Sequence, residues 1–240
     1  MNLVFPASWA QSNVDQEFVE SEFNRVILHE FGHAIGLIHE HMRPDVQLNW
    51  NVGRLMRRYG WTATQVQQQV VDRYNGPLKG GGFDPDSIMM YEYEPGDATY
   101  PDGRPFVTPR NTALSATDKV VTNMLYPRPG VTPLPEGVLV VGDDRPTDGA
   151  LSIDEPGQVA TYRFRPTAGA SYSVETTGST PLLVSVSKNP TDPGGRLWAV
   201  EGPDEPLQFR APDGDPRFVQ VRHGSPLTGT GAFGITIREL

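Results

Sequence analysis

"HEFGHAIGLIHEHMRPD", residues 29–45, decides how this chain is read, because it holds four of the five histidines within thirteen positions. His29 and His33 are four residues apart, so on a helix their imidazoles project from one face and can share an ion. Glu30 is rotated by about 100° from His29, the step of a 3.6-residue turn, which sets its carboxylate beside such an ion rather than on it. Gly36 supplies a helix stop, since glycine takes a left-handed conformation without steric cost. The chain can then turn back and bring His39 to the same point. Three neutral imidazoles and a water form a zinc site with an open position, with Zn–N bonds of about 2.0–2.1 Å. Isolated histidines are ordinarily surface or packing residues, but here the helix spacing, the glycine hinge and the third imidazole coincide in H-E-x-x-H-x-x-G-x-x-H. His41 and His223 lie outside that pattern and are read as ordinary surface residues.

The segment leading into the motif, "NVDQEFVESEFNRVILHEFGHAIGL", has apolar residues at Phe18, Phe23, Val26, Ile27, Phe31, Ala34 and Ile35, the three-and-four spacing of a buried amphipathic helix. Asn13 and Gln16 can form a capping box at its start. Residues 53–74 carry a second helical pattern, "GPLKGGGFDPD" reads as a loop, and "SATDKVVTNMLY" reads as a third helix with Ser115 as N-cap and Asp118 three residues on. From about Pro127 the pattern changes. After the proline-rich "YPRPGVTPLPEG", the short alternating runs "VLVV", "ATYRFR", "SYSVET", "LLVSVS", "FVQVRH" and "FGITIR" predict strands of a small antiparallel β-sandwich.

Composition narrows the function classes. The 240 residues suffice for one or two domains, and 37% apolar with 20% charged residues is ordinary for a globular chain. With no cysteine, disulfides and thiolate ligands are excluded, and any metal must take nitrogen and oxygen donors. The net charge of −9 argues against nucleic acid as a partner, and no basic run or long apolar stretch points to a membrane. Acidic residues outnumber basic ones 15 to 11 through Pro129 and 14 to 9 beyond it, so neither part has an electrostatic speciality. The opening "MNLVFPASWAQS" lacks the basic start of a signal peptide and reads as a core strand around "MNLVF". Asp143, Asp144, Asp213 and Asp215 could hold Ca²⁺, although aspartate is also a common turn residue; "KGGG" at 79–82 lacks the flanks of a phosphate loop.

The chain resembles the metzincin metallopeptidases, and more narrowly the astacin-like ones. The likeness rests on "HEFGHAIGLIHEHMRPD", with Glu40 directly after the third histidine and Arg43 and Asp45 continuing the pattern, on "SIMMYEY", and on "LSATDKVVTNMLYP", and it covers residues 1 to about 127. It implies an α+β fold: a partial metzincin-type zinc peptidase domain over 1–129, comprising the active-site helix and a mostly helical lower subdomain, followed by a small antiparallel β-sandwich over 130–240. It implies zinc held by His29, His33 and His39, Glu30 as general base, and Met89, 89 − 39 = 50 residues beyond the third ligand, as an apolar floor in the Met-turn. Tyr91 matches the tyrosine that ligates zinc and swings away to stabilise the oxyanion, so it is both a catalytic and a metal residue in this reading. The implied function is that of a secreted zinc endopeptidase acting on protein or peptide substrates.

Two departures qualify the resemblance. Met90 stands where many relatives have histidine, which alters a wall of the cleft. Only 28 residues precede His29, where the family places several strands and a helix, so the chain reads as an N-terminally truncated catalytic domain. A second reading follows, a zinc-stabilised but catalytically impaired binding module derived from such a peptidase; the intact Glu30 speaks for the enzyme. The C-terminal part resembles the β-sandwich modules of secreted bacterial peptidases through "GQVATYRFRPTAGASYSVET" and "GTGAFGITI".

Overall fold

Residues 16–240, except 77, 79–81, 144–145, 192–196, 203–204 and 226, are described in a computed structural model. The expected strand around residues 1–5, the capping role of Asn13, Asp144 and most of the "KGGG" run fall outside them. The described residues form a mixed α+β structure of few helices and several sheets, in two compact units: residues 1–75 with 83–115, and residues 76–82 with 116–240.

The first unit opens with helix α1 (Gln16–Ala34), which carries His29, Glu30 and His33. Its end follows from glycine chemistry. Gly36 adopts φ +93°, its N–H donates to His33 O (3.0 Å), and the Leu37 N–H reaches back to Gly32 O (2.9 Å), the paired bonds of a Schellman cap. The expectation that α1 is buried through its phenylalanines is corrected. Among the described residues Phe18, Phe23 and Phe31 are 47, 44 and 65% exposed, whereas Glu22, His29 and Gly32 are buried. The inward face is set by the partners these three find: two arginines, a carbonyl and a methionine, described below.

The helical pattern of residues 53–74 resolves into two helices. Helix α2 (Val52–Tyr59) starts where the Asn51 side chain accepts from Arg54 N and stops at Gly60, φ +67°. Helix α3 (Ala63–Val66) restarts from a Thr62/Gln65 capping box and runs into one π-helical turn, Gln67–Val71. The mostly helical subdomain expected here also contains a sheet of β1 (Asn49–Trp50), β2 (Tyr93–Thr99) and β3 (Pro105–Thr108), ordered β1-β2-β3 and antiparallel, with Trp50 opposite Ala98 and Tyr93 opposite Thr108. Its core gathers Leu55, Val66, Val70, Met90, Tyr93 and Phe106. Fully buried Asp97 ties α2 to β2: its carboxylate accepts from Arg54 Nε (2.7 Å), from Arg58 and from Glu94 N (2.8 Å). Burial alone would raise this carboxyl, but the Glu94 amide and the two guanidiniums outweigh it and hold the group below its ordinary value.

In the second unit, α4 (Ala116–Leu125) begins directly after Ser115 and packs on β8 and β9. The strands are β4 (Gly137–Val138), β5 (Ser152–Ile153), β6 (Val159–Phe164), β7 (Ser171–Thr177), β8 (Leu182–Ser187), β9 (Trp198–Glu201), β10 (Leu207–Arg210), β11 (Arg217–His223), β12 (Gly231–Ala232) and β13 (Gly234–Glu239). They form a five-stranded sheet, β4-β6-β11-β8-β9, a three-stranded sheet, β10-β7-β13, and the β12–β5 pair. One apolar cluster takes Tyr162, Val184 and Val221 from the larger sheet and Tyr172, Phe209 and Ile237 from the smaller. "VLVV" is a strand only at Val138: Leu139 enters the core, while Val140 and Val141 are 44 and 39% exposed. Asp213 and Asp215 are turn carboxylates engaged by Lys188, with Arg217 also on Asp213.

Candidate metal centre

The Nε2 atoms of the three expected ligands converge: His33 to His39 at 3.0 Å and His29 to His39 at 3.1 Å. Among the described residues this is the group of histidine and acidic side chains that could hold a metal ion. Each helical imidazole is fixed from behind. His29 Nδ1 lies 2.9 Å from Ile88 O and His33 Nδ1 lies 3.0 Å from Leu37 O. A carbonyl only accepts, so both rings take the Nδ1–H tautomer and turn an Nε2 lone pair toward the centre. At most one Nε2 hydrogen, that of His39, is then available to three converging nitrogens, a donor set that calls for a cation. Tetrahedral bonds of about 2.0–2.1 Å would hold the nitrogens ~3.3 Å apart, a few tenths of an ångström wider than they stand. Burial lowers the pKa of His29, and burial together with the imidazoles of His41, His29 and His33 lowers that of His39 to about 3. The rings are therefore neutral, as metal binding requires.

The turn carrying Met89 lies against the helix. A Cβ at Gly32 would stand 2.4 Å from Met89 Sδ, so glycine at this position lets the thioether lie on α1 between the two helical ligands. Met89 is 1% exposed, and Met89 O accepts from Glu40 N (3.3 Å), which links the turn to the residue after His39. Glu40 Oε2 accepts from Asp84 N (3.2 Å), and buried Arg43 forks onto Asp45 with two bonds of 3.0 Å.

Tyr91 lies beside the cluster, its ring centroid 4.6 Å from that of His39 and 5.8 Å from that of His29. Burial, reinforced by the Glu30 carboxylate, raises its phenol to about 12, so it is protonated in the absence of a cation. Tyr91 and Met90 also line a cavity of about 360 Å³ with Arg25, Trp61, Arg110 and Asn111. Glu30 follows His29 on α1 and is half-buried.

The reading of His41 as a surface residue is corrected. It is 1% exposed, stacks on His39 (centroids 5.3 Å, 17° between planes), and its Nε2 lies 3.1 Å from Gln69 O. Burial lowers it to about 4. It is a structural imidazole beneath the third ligand. His223 is half-buried in β11, its Nδ1 accepting from Ser225 N. Sequence reasoning also passed over Gly32, although a second glycine between the two helical ligands was a readable sign of close packing.

Residues 19–119 match the sequence model of the Astacin peptidase family, whose members are zinc peptidases, so this part of the chain is an astacin-like metzincin segment. A solved structure, "Structure of myroilysin", is 32% identical, the match covering 48% of this chain and 56% of that one, with a TM-score of 0.42. The chain thus spans little more than half that protein's length. No curated protein matches the sequence.

Proposed function

We propose that this chain is a zinc-dependent endopeptidase of the astacin-like type, with a peptidase domain over 1–129 and a β-sandwich accessory domain over 130–240. The observation that carries the proposal is the convergence of three Nε2 atoms whose orientation two backbone carbonyls fix. Zinc held by His29, His33 and His39, with Tyr91 as a further ligand, would acidify a water and polarise the scissile carbonyl. Glu30 takes the proton of the attacking water and passes it to the leaving amine. Its place one step round the helix from His29 supports that role. Tyr91 donates from its phenol to the developing oxyanion, a role favoured by the protonated state that its burial maintains. The substrates are proteins or peptides, and the setting is extracellular, as for many astacins. No helix among the described residues is long and apolar enough to cross a membrane.

Replacing Glu30 with Gln tests the reading. Zinc and fold should persist, while hydrolysis of an unfolded protein substrate falls at least ~10²-fold, the usual scale of general-base loss. Unchanged turnover would place the base elsewhere. A wild type that is zinc-loaded yet inert would favour the binding-module reading.

A further inference from the structure

His29 depends on a carbonyl that is itself held in place. Ile88 O, which orients the His29 ring, lies in the turn 87–90, and the carbonyls on either side of it are both engaged. Met89 O takes the Glu40 amide, and Ser87 O accepts from Asn111 Nδ2 at 2.8 Å. The same Asn111 nitrogen reaches Pro85 O at 2.9 Å, so both amide hydrogens are spent on the backbone of this one turn. The residue before it grips the other partner. Arg110 forks onto Glu22 of α1, Nε to Oε1 at 2.7 Å and Nη2 to Oε2 at 2.5 Å. Arg25 forks onto the same carboxylate, at 3.0 and 3.2 Å. Glu22 is 4% exposed and stands seven residues before His29, two turns earlier on the same face. Burial alone would raise this carboxyl, but the two guanidiniums hold it below its ordinary range.

We propose that Arg110 and Asn111 are positioning residues for the metal centre: two adjacent side chains that clamp the His29 helix and the His29-orienting turn in a single register. The inference rests on the metal-centre reading and adds residues that no part of the ligand motif contains. Neither side chain touches the ion. Arg110 fixes α1 axially through Glu22, Asn111 fixes the turn through Ser87 O and Pro85 O, and the dipeptide sets the separation between His29 Nδ1 and Ile88 O. Loss of such an outer hydrogen bond typically weakens metal binding by about 10–100-fold.

The test uses the full chain, Zn²⁺ and Co²⁺. Zinc dissociation constants by competition with a chromophoric chelator, and the visible spectrum of the Co²⁺ form, are compared for wild type, Asn111→Ala, Arg110→Lys and Thr62→Ala. The last removes the α3 capping box and serves as a stability control in the same unit. Asn111→Ala should weaken zinc by ~10-fold or more and shift the Co²⁺ bands, and Arg110→Lys, which keeps the charge but not the fork, should give a smaller loss in the same direction. Thr62→Ala should lower the denaturation midpoint and leave both metal readouts alone. Zinc affinity within twofold of wild type with an unchanged Co²⁺ spectrum in Asn111→Ala overturns the proposal, as does an equal loss in Thr62→Ala. If Asn111→Ala does not fold, Arg110→Lys decides, and unaltered affinity there overturns it. A wild type that fails to bind zinc sinks the metal-centre reading itself, a distinguishable result.

Discussion

Gly32→Ala probes the contact between α1 and the turn beneath it, and its sign follows from the structure. In an open helix interior, alanine for glycine stabilises by about 1 kcal/mol, because glycine forfeits more backbone freedom on folding. Here the new methyl would stand 2.4 Å from Met89 Sδ, 3.4 Å from Met89 Cε and 3.6 Å from Leu37 Cδ1. Met89 is 1% exposed, so its thioether has little room to yield, and overpacking of this kind costs typically about 1–3 kcal/mol. The net expectation is a destabilisation of roughly 0–2 kcal/mol. Truncating Met89 reverses the sign. In a Met89→Ala background the methyl enters vacated space, and Gly32→Ala should stabilise by about 0.5–1 kcal/mol. The coupling across the cycle is therefore about 1–3 kcal/mol, well outside the ~0.5 kcal/mol scatter of independent sites. Urea denaturation of the four metal-free proteins reads it directly. A stabilising Gly32→Ala in the wild-type background, or additivity across the cycle, would refute the packing argument.

Tyr91→Phe should keep stoichiometric zinc and lower kcat about 10²–10³-fold with KM nearly unmoved, since the lost bond strengthens only at the tetrahedral stage; full kcat in steady-state kinetics would demote Tyr91 to packing. Asp97→Ala strips two arginines and an amide of a fully buried acceptor, and because both guanidiniums can still reach water the loss should be about 2 kcal/mol, seen as a lower denaturation midpoint. The metal-free protein should be pH-sensitive through His41 and His39. Their folded pKa values, about 4 and about 3, lie below the ordinary imidazole value near ~6.5, so the unfolded state binds more protons on acidification. Stability should be full above pH ~6.5 and fall as pH drops toward the folded values. An unchanged midpoint from about pH 7.5 to 5 would contradict this.

The ligand set was legible because every element of it is local: a four-residue helical spacing, a glycine whose positive φ the sequence anticipates, and a third imidazole after the turn. The strands at 160–165, 171–176, 182–187 and 218–223 were legible for the same reason, since alternation over six residues is a local property. What escaped depends on distant partners. The phenylalanines of α1 have helical periodicity, but the buried face is chosen by Arg110, Ile88 and Met89, all more than fifty residues from the residues they meet. His41 looks like a charged surface position until Trp50, Tyr91 and Tyr93 close around it. The β2–β3 pair was masked by "YEPGDATYPDGRP", whose prolines and charges obscure alternation, although Pro101-Asp102-Gly103 carried a turn signal, with Tyr100 N–H donating to Arg104 O at 2.9 Å. Gly60 divided what looked like one helix, and nothing in the apolar spacing marked the break.

The central claim is that His29, His33 and His39 hold one zinc ion, and the metal content of the purified protein tests it most directly. After dialysis against metal-free buffer, the wild type should retain about one zinc per chain, released by a strong chelator, and the His29→Ala, His33→Ala double variant should retain almost none. Stoichiometric zinc in the double variant, or a wild type that takes up none when zinc is supplied, would contradict the account.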